Sequence, residues 1–155
     1  MTAEVVIRMA VRADAERLAD LCFALWPDAP REEHRQEMVE ILEGRNPSTL
    51  PLVHFVAETR GGRVVGFLEA GLRSHADCCD PSHAVGYVEG WYVEESYRRQ
   101  GIGRQLLAAA EEWARGQGCR EMASDALIEN ELSQQAHKAL GYEVVARSVL
   151  YRKPL

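Results

Sequence analysis

The sequence lacks the features that mark several large classes of protein. No run of apolar residues is long enough to span a membrane, and the first residues, Met-Thr-Ala-Glu-Val, lack the basic and then apolar pattern of a secretion signal. The cysteines form no Cys-x-x-Cys pair, and the adjacent Cys78 and Cys79 do not suggest a disulfide framework. We therefore expect a cytoplasmic protein with reduced thiols and no membrane association.

An excess of positive charge and the common nucleotide-binding motifs are also missing. The formal net charge is −6 and the isoelectric point is near 5.4, which argues against nucleic acid and acidic membrane surfaces as partners and favours a cationic partner. No Gly-x-Gly-x-x-Gly follows a first strand and no Gly-Lys-Ser/Thr is present, which excludes the Rossmann and P-loop sites. Residues 75–83 contain every common type of metal ligand, but their spacing matches no zinc pattern, so we expect no metal site.

The length of 155 residues and the hydrophobic content of 46% favour one globular domain, residues 1–155. Apolar periodicity and turn residues predict the order β-α-α-β-β-β-α-β-α-β-β, without repeats or linkers. This order indicates an α/β (α+β) fold in which a mixed sheet has helices on both faces. Strands are predicted at 4–9, 53–59, 64–71, 87–93, 119–125, 143–146 and 149–152; helices are predicted after Asp14 as a cap, after Pro30, at 105–115, and at 131–140 after Asn130 as a cap.

The stretch from residue 87 to residue 115 is the most informative part of the chain. Residues 87–93 have strand character, whereas the apolar residues of 105–115 recur at helical spacing, so a loop and a helix start lie between them. Such a junction gathers unpaired amide N–H groups at the positive end of a helix, and glycine lets an anion approach the backbone. We therefore predict a pyrophosphate or 3′-phosphate site formed by Arg98, Arg99, Gln100, Gly101, Ile102, Gly103 and Arg104.

The motif Arg98-Arg99-Gln100-Gly101-Ile102-Gly103 fits Arg/Gln-x-x-Gly-x-Gly/Ala. There, and in its element order, the chain resembles the GCN5-related N-acetyltransferase (GNAT) superfamily. The resemblance implies a GNAT fold, in which a mixed, mostly antiparallel sheet has a splayed central strand pair, and it implies acetyl-CoA (coenzyme A) as the cofactor. By the same resemblance, the main chain of Trp91, Tyr92 and Val93 binds the pantetheine arm and the thioester oxygen.

The residues from Asn130 to Tyr142 look like the second motif of that superfamily. The resemblance implies that Asn130 contacts the pantetheine arm. Seven residues later, where the superfamily has a tyrosine near the sulfur, this chain has His137. Its imidazole could contact the cofactor or pass a proton, or it could lie on the helix surface.

Further segments resemble the aminoglycoside 6′-N-acetyltransferases of AAC(6′)-I type. The resemblance implies that the amine at the 6′ position of an aminoglycoside antibiotic attacks the thioester directly, which confers resistance. It also implies that Glu89 and Asp125, on the ends of neighbouring strands, face the acceptor amine, and that subunits pair as a homodimer through the terminal strands. The segments are Leu25-Trp26-Pro27, Glu89-Gly90, residues 119–125, Glu129-Asn130, Ser133-Gln134, residues 137–141 and Tyr151-Arg152-Lys153.

The chemistry of an aminoglycoside agrees with an acidic acceptor cleft. Its ammonium groups need carboxylates, and one carboxylate must take a proton, directly or through water, before the nitrogen can attack. Glu89 and Asp125 could divide binding and proton removal, or each could be a helix cap or a surface acid at a strand end. Trp26 and Asp28, between the first two helices, either pack or flank the cleft, and Asp77 and Asp80 are expected on its rim.

Two other functions remain open at this point. One is acetylation of another small amine or of a protein amine, because the cofactor half of the fold is shared and the acceptor half varies. The other is an acyl-CoA sensor without turnover. The identity of the base and of the acid also remains open, as does the set of antibiotics that would be modified.

Overall fold

A computed structural model describes residues 4–155 of the chain. The helices are α1 (Ala15–Leu25), α2 (Arg31–Leu42), α3 (Ile102–Gly116) and α4 (Glu131–Ala139). The strands are β1 (Val5–Met9), β2 (Leu52–Thr59), β3 (Val64–Arg73), β4 (Val85–Val93) and β5 (Met122–Ser124). They form one sheet in the order β1-β2-β3-β4-β5, in which β4 and β5 are parallel and the other neighbours are antiparallel. The predicted mixed, mostly antiparallel sheet is confirmed.

Helices cover both faces of this sheet. The apolar side of α3, with Leu106 and Leu107, is buried against one face, and α1 and α2 cover the other face with Leu18 and Met38. Because β3 is covered on both sides, it carries an almost unbroken run of buried residues rather than an alternating pattern. No helix in residues 4–155 combines the length and the apolarity needed to cross a membrane.

The parallel pair β4–β5 separates partway along its length. Gly86, Tyr87 and Val88 are paired with Met122, Ala123 and Ser124, but β5 ends there while β4 continues to Val93. Residues 89–93 are therefore unpaired on the β5 side, and their main-chain groups face the opening between the two strands. This is the splayed strand pair that the resemblance implies.

One helix cap in the N-terminal half differs from the prediction. The side chain of Asp14 does not cap α1: its Oδ2 accepts the N–H of Val11 at 2.8 Å, and both carboxylate oxygens accept Arg8 guanidinium N–H groups at 2.8 and 3.0 Å. The fork of a guanidinium competes successfully with a single helix N–H because it offers two charged donors. In contrast, Asn130 caps α4 as predicted, since its Oδ1 accepts the Ser133 N–H at 3.1 Å.

The two strands predicted at 143–146 and 149–152 are wrong for the described structure, in which residues 142–155 form no regular element. Their apolar residues are largely exposed: Val144 is 71%, Val149 73%, Leu150 92% and Tyr151 91% accessible. A β-branched, apolar stretch has strand propensity, but a strand also needs a neighbour for its main-chain groups. The fifth strand is also shorter than predicted, Met122–Ser124 instead of 119–125.

Candidate active site

Glu89 and Asp125 lie near the point where β4 and β5 separate. Between β3 and β4 the pairing passes from Glu69–Gly90 to Ala70–Val88, which leaves Glu89 as the extra residue of a bulge. Bulges turn a side chain away from its regular direction and occur often beside active sites. Asp125 directly follows Ser124, the partner of Val88. Glu89 is thus inside β4 rather than at its end, but it is next to the end of the paired stretch.

An arginine and a tyrosine connect these two acids. The Arg73 guanidinium donates from Nε and Nη2 to the two carboxylate oxygens of Glu89 at 2.9 and 2.8 Å. The same guanidinium lies 3.4 Å from the centroid of the Tyr87 ring, and the Tyr87 hydroxyl donates to Oδ2 of Asp125 at 2.6 Å. The result is a continuous series, Glu89–Arg73–Tyr87–Asp125, along one edge of the opening.

The charges in this series are fixed by its contacts. The hydrogen bonds to Glu89 raise the pKa of Arg73, so its guanidinium stays charged. Burial, followed by the hydrogen bond to Asp125, raises the pKa of Tyr87, so its hydroxyl is a neutral donor at physiological pH. Both carboxylate oxygens of Glu89 therefore accept a hydrogen bond from the charged guanidinium of Arg73. In the described residues, Asp125 receives one neutral hydrogen bond, on Oδ2.

Sequence reasoning missed Arg73 and Tyr87. Tyr87 lies in the predicted strand 87–93, and Arg73 lies just after the predicted strand 64–71, outside every predicted site. The signal that would have found them is the bulge at Glu89, because it brings Arg73 of β3 onto Glu89 of β4. Nothing in the local sequence marks a bulge at that position.

Trp26 packs on β4 next to Glu89. A Cβ atom on Gly90 would lie 2.4 Å from Cη2 of Trp26, so the indole rests directly on the β4 backbone beside Glu89. It also contacts Phe67 edge-on at 6.1 Å between ring centroids and stacks on His34 at 6.3 Å. Trp26 therefore packs, and its position beside Gly90 is compatible with either alternative for this residue. Asp28 lies exposed in the same loop.

A cleft of about 230 Å³ extends from Glu89 towards α2 and the loop that precedes β2. Its wall includes two further carboxylates, Glu37 and Glu69, which were not among the predicted site residues. Glu69 is hydrogen-bonded through Oε2 to Nε2 of the buried His54 at 2.9 Å. An acid inside the apolar strand β3 is the sequence signal that could have identified Glu69. The acidic cleft suits a cationic ligand.

The loop with Asp77 and Asp80 is fixed by contacts of its own. Oδ1 of Asp80 accepts both the N–H and the hydroxyl of Ser82, at 2.9 and 2.6 Å, and the Asp80 N–H donates to Glu121 at 2.7 Å. Within residues 4–155, no hydrogen bond or ion pair joins Asp77 or Asp80 to Glu89 or Asp125. Cys78, between them, has a left-handed backbone with φ 62°.

The predicted phosphate loop precedes α3. Gly101 has φ +79°, in the region that favours glycine, and a side chain there would meet open space within 4 Å. The N–H groups of Ile102, Gly103 and Arg104 belong to the first turn of the helix, where an α-helix supplies no acceptor. These amides and the helix dipole suit an anion.

The three arginines of this loop differ in their contacts and exposure. Arg98 directs Nε to the carbonyl of Val93 at 2.8 Å, and its guanidinium lies 5.4 Å from the Tyr92 ring, so it supports the end of β4. Arg99 has φ 62°, and its side chain is exposed, as is that of Arg104. Exposed cations beside a helix N-terminus can bind phosphate groups.

The indole of Trp91 provides a test of whether a cofactor fits here. Its Nε1–H is buried without a hydrogen-bond partner in the described structure, and a Cβ on Gly103 would lie 3.4 Å from it. A buried donor without an acceptor costs about 1–3 kcal/mol, so this position suits a ligand that brings an acceptor. Together with the unpaired β4 backbone at 89–93 and the anion site at α3, it fits a long ligand that has amides and phosphates, as coenzyme A has.

His137 is held by groups at both ring nitrogens. Nδ1 lies 2.7 Å from the main-chain oxygen of Ser133, and Nε2 lies 2.7 Å from the hydroxyl of Ser124. A carbonyl only accepts, so Nδ1 carries a proton and donates to Ser133, while the hydroxyl of Ser124 can donate to Nε2 or accept from it. The ring also contacts Trp91 and Tyr142 edge-on, at 5.2 and 5.7 Å. His137 is therefore half-buried between α4 and the open end of β5 rather than on a free helix surface.

Comparisons with known proteins agree with this geometry. The model of the acetyltransferase (GNAT) family matches residues 15–142. The chain is 39% identical over 155 residues to the aminoglycoside N(6′)-acetyltransferase type 1 of Klebsiella aerogenes, with 100% of both chains covered. It is 42% identical over 151 residues to that of Stenotrophomonas maltophilia, with 96% of this chain and 93% of the relative covered.

A solved structure, AAC(6′)-Iy in complex with the bisubstrate analog CoA-S-monomethyl-acetylneamine, superposes with a TM-score of 0.87 at 36% identity, covering 99% of this chain and 100% of the other. Among residues 4–155, no group of three or more His, Cys, Asp or Glu could hold a metal ion. The unpaired end of β4, the helix start that suits an anion before α3 and these similarities lead to one conclusion. The chain belongs to the acetyltransferase (GNAT) family, with aminoglycoside N(6′)-acetyltransferases of type 1 as its relatives.

Proposed function

We propose that this protein is an aminoglycoside 6′-N-acetyltransferase, which uses acetyl-CoA to acetylate the 6′-amine and so confers antibiotic resistance. The observation that carries the proposal is the pair of carboxylates, Glu89 and Asp125, at the opening between β4 and β5, within reach of the main chain that a thioester would occupy. The names of the relatives support the same substrate class.

On the acceptor side, Asp125 accepts the proton that the substrate ammonium must lose before its nitrogen attacks. Its Oδ1 is available for that role because Tyr87 donates to Oδ2. Glu89 binds an ammonium group of the substrate and helps to orient it. Trp26 and Asp28 border the acceptor, and Asp77 and Asp80 contribute negative charge at a distance.

On the cofactor side, this chain supplies a backbone and an anion site. When bound, acetyl-CoA supplies an activated acetyl group as a thioester. The main chain of Trp91, Tyr92 and Val93 would pair with the pantetheine arm of acetyl-CoA, much as it would with a neighbouring strand. It would also donate a hydrogen bond to the carbonyl oxygen of the thioester. The phosphate groups would be held by Arg98, Arg99, Gln100, Gly101, Ile102, Gly103 and Arg104.

Asn130 and His137 complete the proposed cofactor site from α4. The Oδ1 of Asn130 is engaged by the helix cap, so its NH₂ end is the part that can contact the arm. Nδ1 of His137 donates to the Ser133 carbonyl, and Nε2 holds the Ser124 hydroxyl at the end of β5. A proton passed to the departing sulfur would leave from Nε2, because Nδ1 is engaged by the Ser133 carbonyl.

The proposal extends to the whole chain. Residues 1–155 form one acetyltransferase domain that acts in the cytoplasm as a homodimer. The free cysteines are typical of a reducing compartment, and the exposed apolar residues of 142–155 suit a subunit interface.

A thiol-release assay with acetyl-CoA and matched aminoglycosides tests the function. A compound with a 6′-amine should be acetylated at that nitrogen, whereas its counterpart with a 6′-hydroxyl should bind without turnover, because only the amine is nucleophilic enough to attack. Mass spectrometry locates the acetyl group. Acetylation of a ring nitrogen of the central deoxystreptamine would reject the 6′ assignment, and turnover of other amines alone would favour a different acetyltransferase.

A further inference from the structure

Arg73 is a cation inside a site that is otherwise acidic. It sits on Glu89, one of the carboxylates that would hold the acceptor, and it uses two N–H groups on two oxygens. The usual interpretation of such a pair is a surface ion pair of little consequence. Its position, between the two acids of the opening, makes that interpretation incomplete.

Two side chains hold the guanidinium in place. The carboxylate of Glu89 binds its Nε edge, and the ring of Tyr87 lies 3.4 Å below its central carbon. Tyr87 itself is 8% exposed and is fixed by the hydrogen bond to Asp125. An Arg that is both forked onto a carboxylate and stacked on an aromatic ring loses little further freedom when a ligand arrives.

A fixed guanidinium changes what the site offers to a cationic ligand. Each oxygen of Glu89 has a second lone pair, so an ammonium group can still bind there with Arg73 in place. It does so beside a positive charge, which offsets the attraction of Glu89 and, more weakly, that of Asp125. The repulsion increases with the number of ammonium groups that a ligand places in the cleft.

We propose that Arg73 is a specificity-determining residue of the acceptor site: its guanidinium neutralises Glu89 and so limits the preference of the cleft for acceptors with many ammonium groups. This inference rests on the proposed function, since it takes the acceptor to be a polycationic amine bound at Glu89 and Asp125. It assigns to Arg73 a role in selecting the acceptor, separate from the transfer step.

The test compares equilibrium binding of aminoglycosides that carry increasing numbers of ammonium groups. Dissociation constants are measured by calorimetry at several salt concentrations for the wild type, Arg73→Gln, Arg73→Lys and Arg60→Gln. Arg60 is the charge-matched control, because it is exposed in the turn at the opposite end of β3. Turnover of the same compounds is measured in parallel, so failure of the proposed function is recognised separately.

Arg73→Gln should lower the dissociation constant of the most highly charged acceptor about threefold to tenfold, with a smaller change for the least charged one. Its affinity should also depend more steeply on salt. Arg73→Lys, which keeps the charge without the fork, and Arg60→Gln should both stay close to the wild type. Thermal unfolding of each variant shows whether the fold is retained.

Two results would overturn the inference. If Arg73→Gln and Arg73→Lys weaken binding equally for all acceptors, Arg73 only orients Glu89 and Tyr87. If Arg60→Gln changes affinity as much as Arg73→Gln does, the effect is one of net charge and not of this site. Wild-type binding without turnover would reject the proposed function but leave the comparison of dissociation constants valid.

Discussion

Glu89 and Asp125 are similar in chemistry but differ in their surroundings. Glu89 accepts two charged hydrogen bonds from Arg73, whereas Asp125 accepts one neutral hydrogen bond from Tyr87. Both oxygens of Glu89 are thus engaged by the guanidinium, whereas in the described residues Oδ1 of Asp125 accepts no hydrogen bond. At the residue scale, this difference favours Asp125 for proton removal and Glu89 for binding.

We predict that Asp125→Asn lowers kcat for a 6′-amine substrate by about 10²-fold or more, because the amide cannot accept the proton. Glu89→Gln should mainly raise KM, since it removes a charge that binds the substrate. Initial rates over a range of acceptor concentrations separate the two effects. Asp20→Asn, on the exposed side of α1, is a matched control without expected effect. Full kcat/KM in both site variants would mean that the acceptor binds elsewhere.

Asp14 offers a pH-dependent contribution to stability that is independent of the active site. The hydrogen bonds from Arg8, and then the one from the Val11 N–H, lower the pKa of this carboxyl, although burial opposes the shift. A folded-state pKa below the unfolded value means that the stabilisation is present above the unfolded pKa, about 3.9. It is lost as pH falls through the folded-state pKa.

Asp14→Asn should therefore lower the free energy of unfolding by about 1.5–3 kcal/mol at neutral pH, the range for hydrogen bonds to charged groups. The difference from the wild type should shrink as the pH falls below about 4. Urea unfolding at a series of pH values measures it. A difference that stays constant with pH would show that the ionised form of Asp14 is not what stabilises the fold.

Site residues whose roles depend on long-range strand pairing could not be predicted from the sequence pattern. Glu89 and Asp125 were identified by resemblance, and the structure brings them to one opening. Arg73 and Tyr87 were not identified, because their roles require the bulge at Glu89 and the parallel pairing of β5. A local pattern of apolar and polar residues contains neither of these features.

At the scale of elements, the loop before α3 depends on a glycine for two separate reasons. Gly101 needs a left-handed backbone, at φ +79°, and its Cβ direction faces open space that a phosphate would occupy. Gly118, after α3, has φ +87° and also has nothing within 4 Å of its Cβ direction. The two glycines share the same backbone strain but differ in proximity to the proposed cofactor.

Gly101→Val should weaken acetyl-CoA binding, because the branched side chain disfavours this backbone and obstructs the amides of the loop. Both substitutions should destabilise the fold by about 1–2 kcal/mol, because valine disfavours a left-handed backbone. Gly118→Val should do so without changing the affinity for acetyl-CoA. Calorimetric titration with acetyl-CoA, together with thermal unfolding, distinguishes the two. Unchanged affinity in a folded Gly101→Val variant would refute the phosphate loop.

Most elements were predictable because their patterns are local. The helical spacing of apolar residues in α3 and the hairpin glycines between β2 and β3 depend on neighbours in sequence. The strands predicted at 143–146 and 149–152 failed because a strand is completed by a partner that the local sequence does not specify. Their apolar side chains have no such partner within the described chain.

At the scale of the whole molecule, the exposed apolar residues are concentrated after α4. Val149, Leu150 and Tyr151 are 73, 92 and 91% accessible, and Leu132 on α4 is 61% accessible. Single exposed apolar residues are common on monomers, but a continuous group of this kind marks a surface that another protein covers. The partner we propose is a second copy of the chain.

We predict a homodimer, with a mass near twice the 17.4 kDa of the chain in light scattering at micromolar concentration. Leu150→Glu should shift the equilibrium to the monomer, because burying a carboxylate without a partner in an apolar interface is strongly unfavourable. Val6→Glu is the matched control: Val6 is 65% exposed on the edge strand β1, at the other side of the sheet, so the same charge there should leave the dimer intact. A wild-type mass of 17.4 kDa would reject the dimer. If Val6→Glu dissociates the dimer and Leu150→Glu does not, the interface lies at β1. The segment after α4 would then be accessible in the dimer.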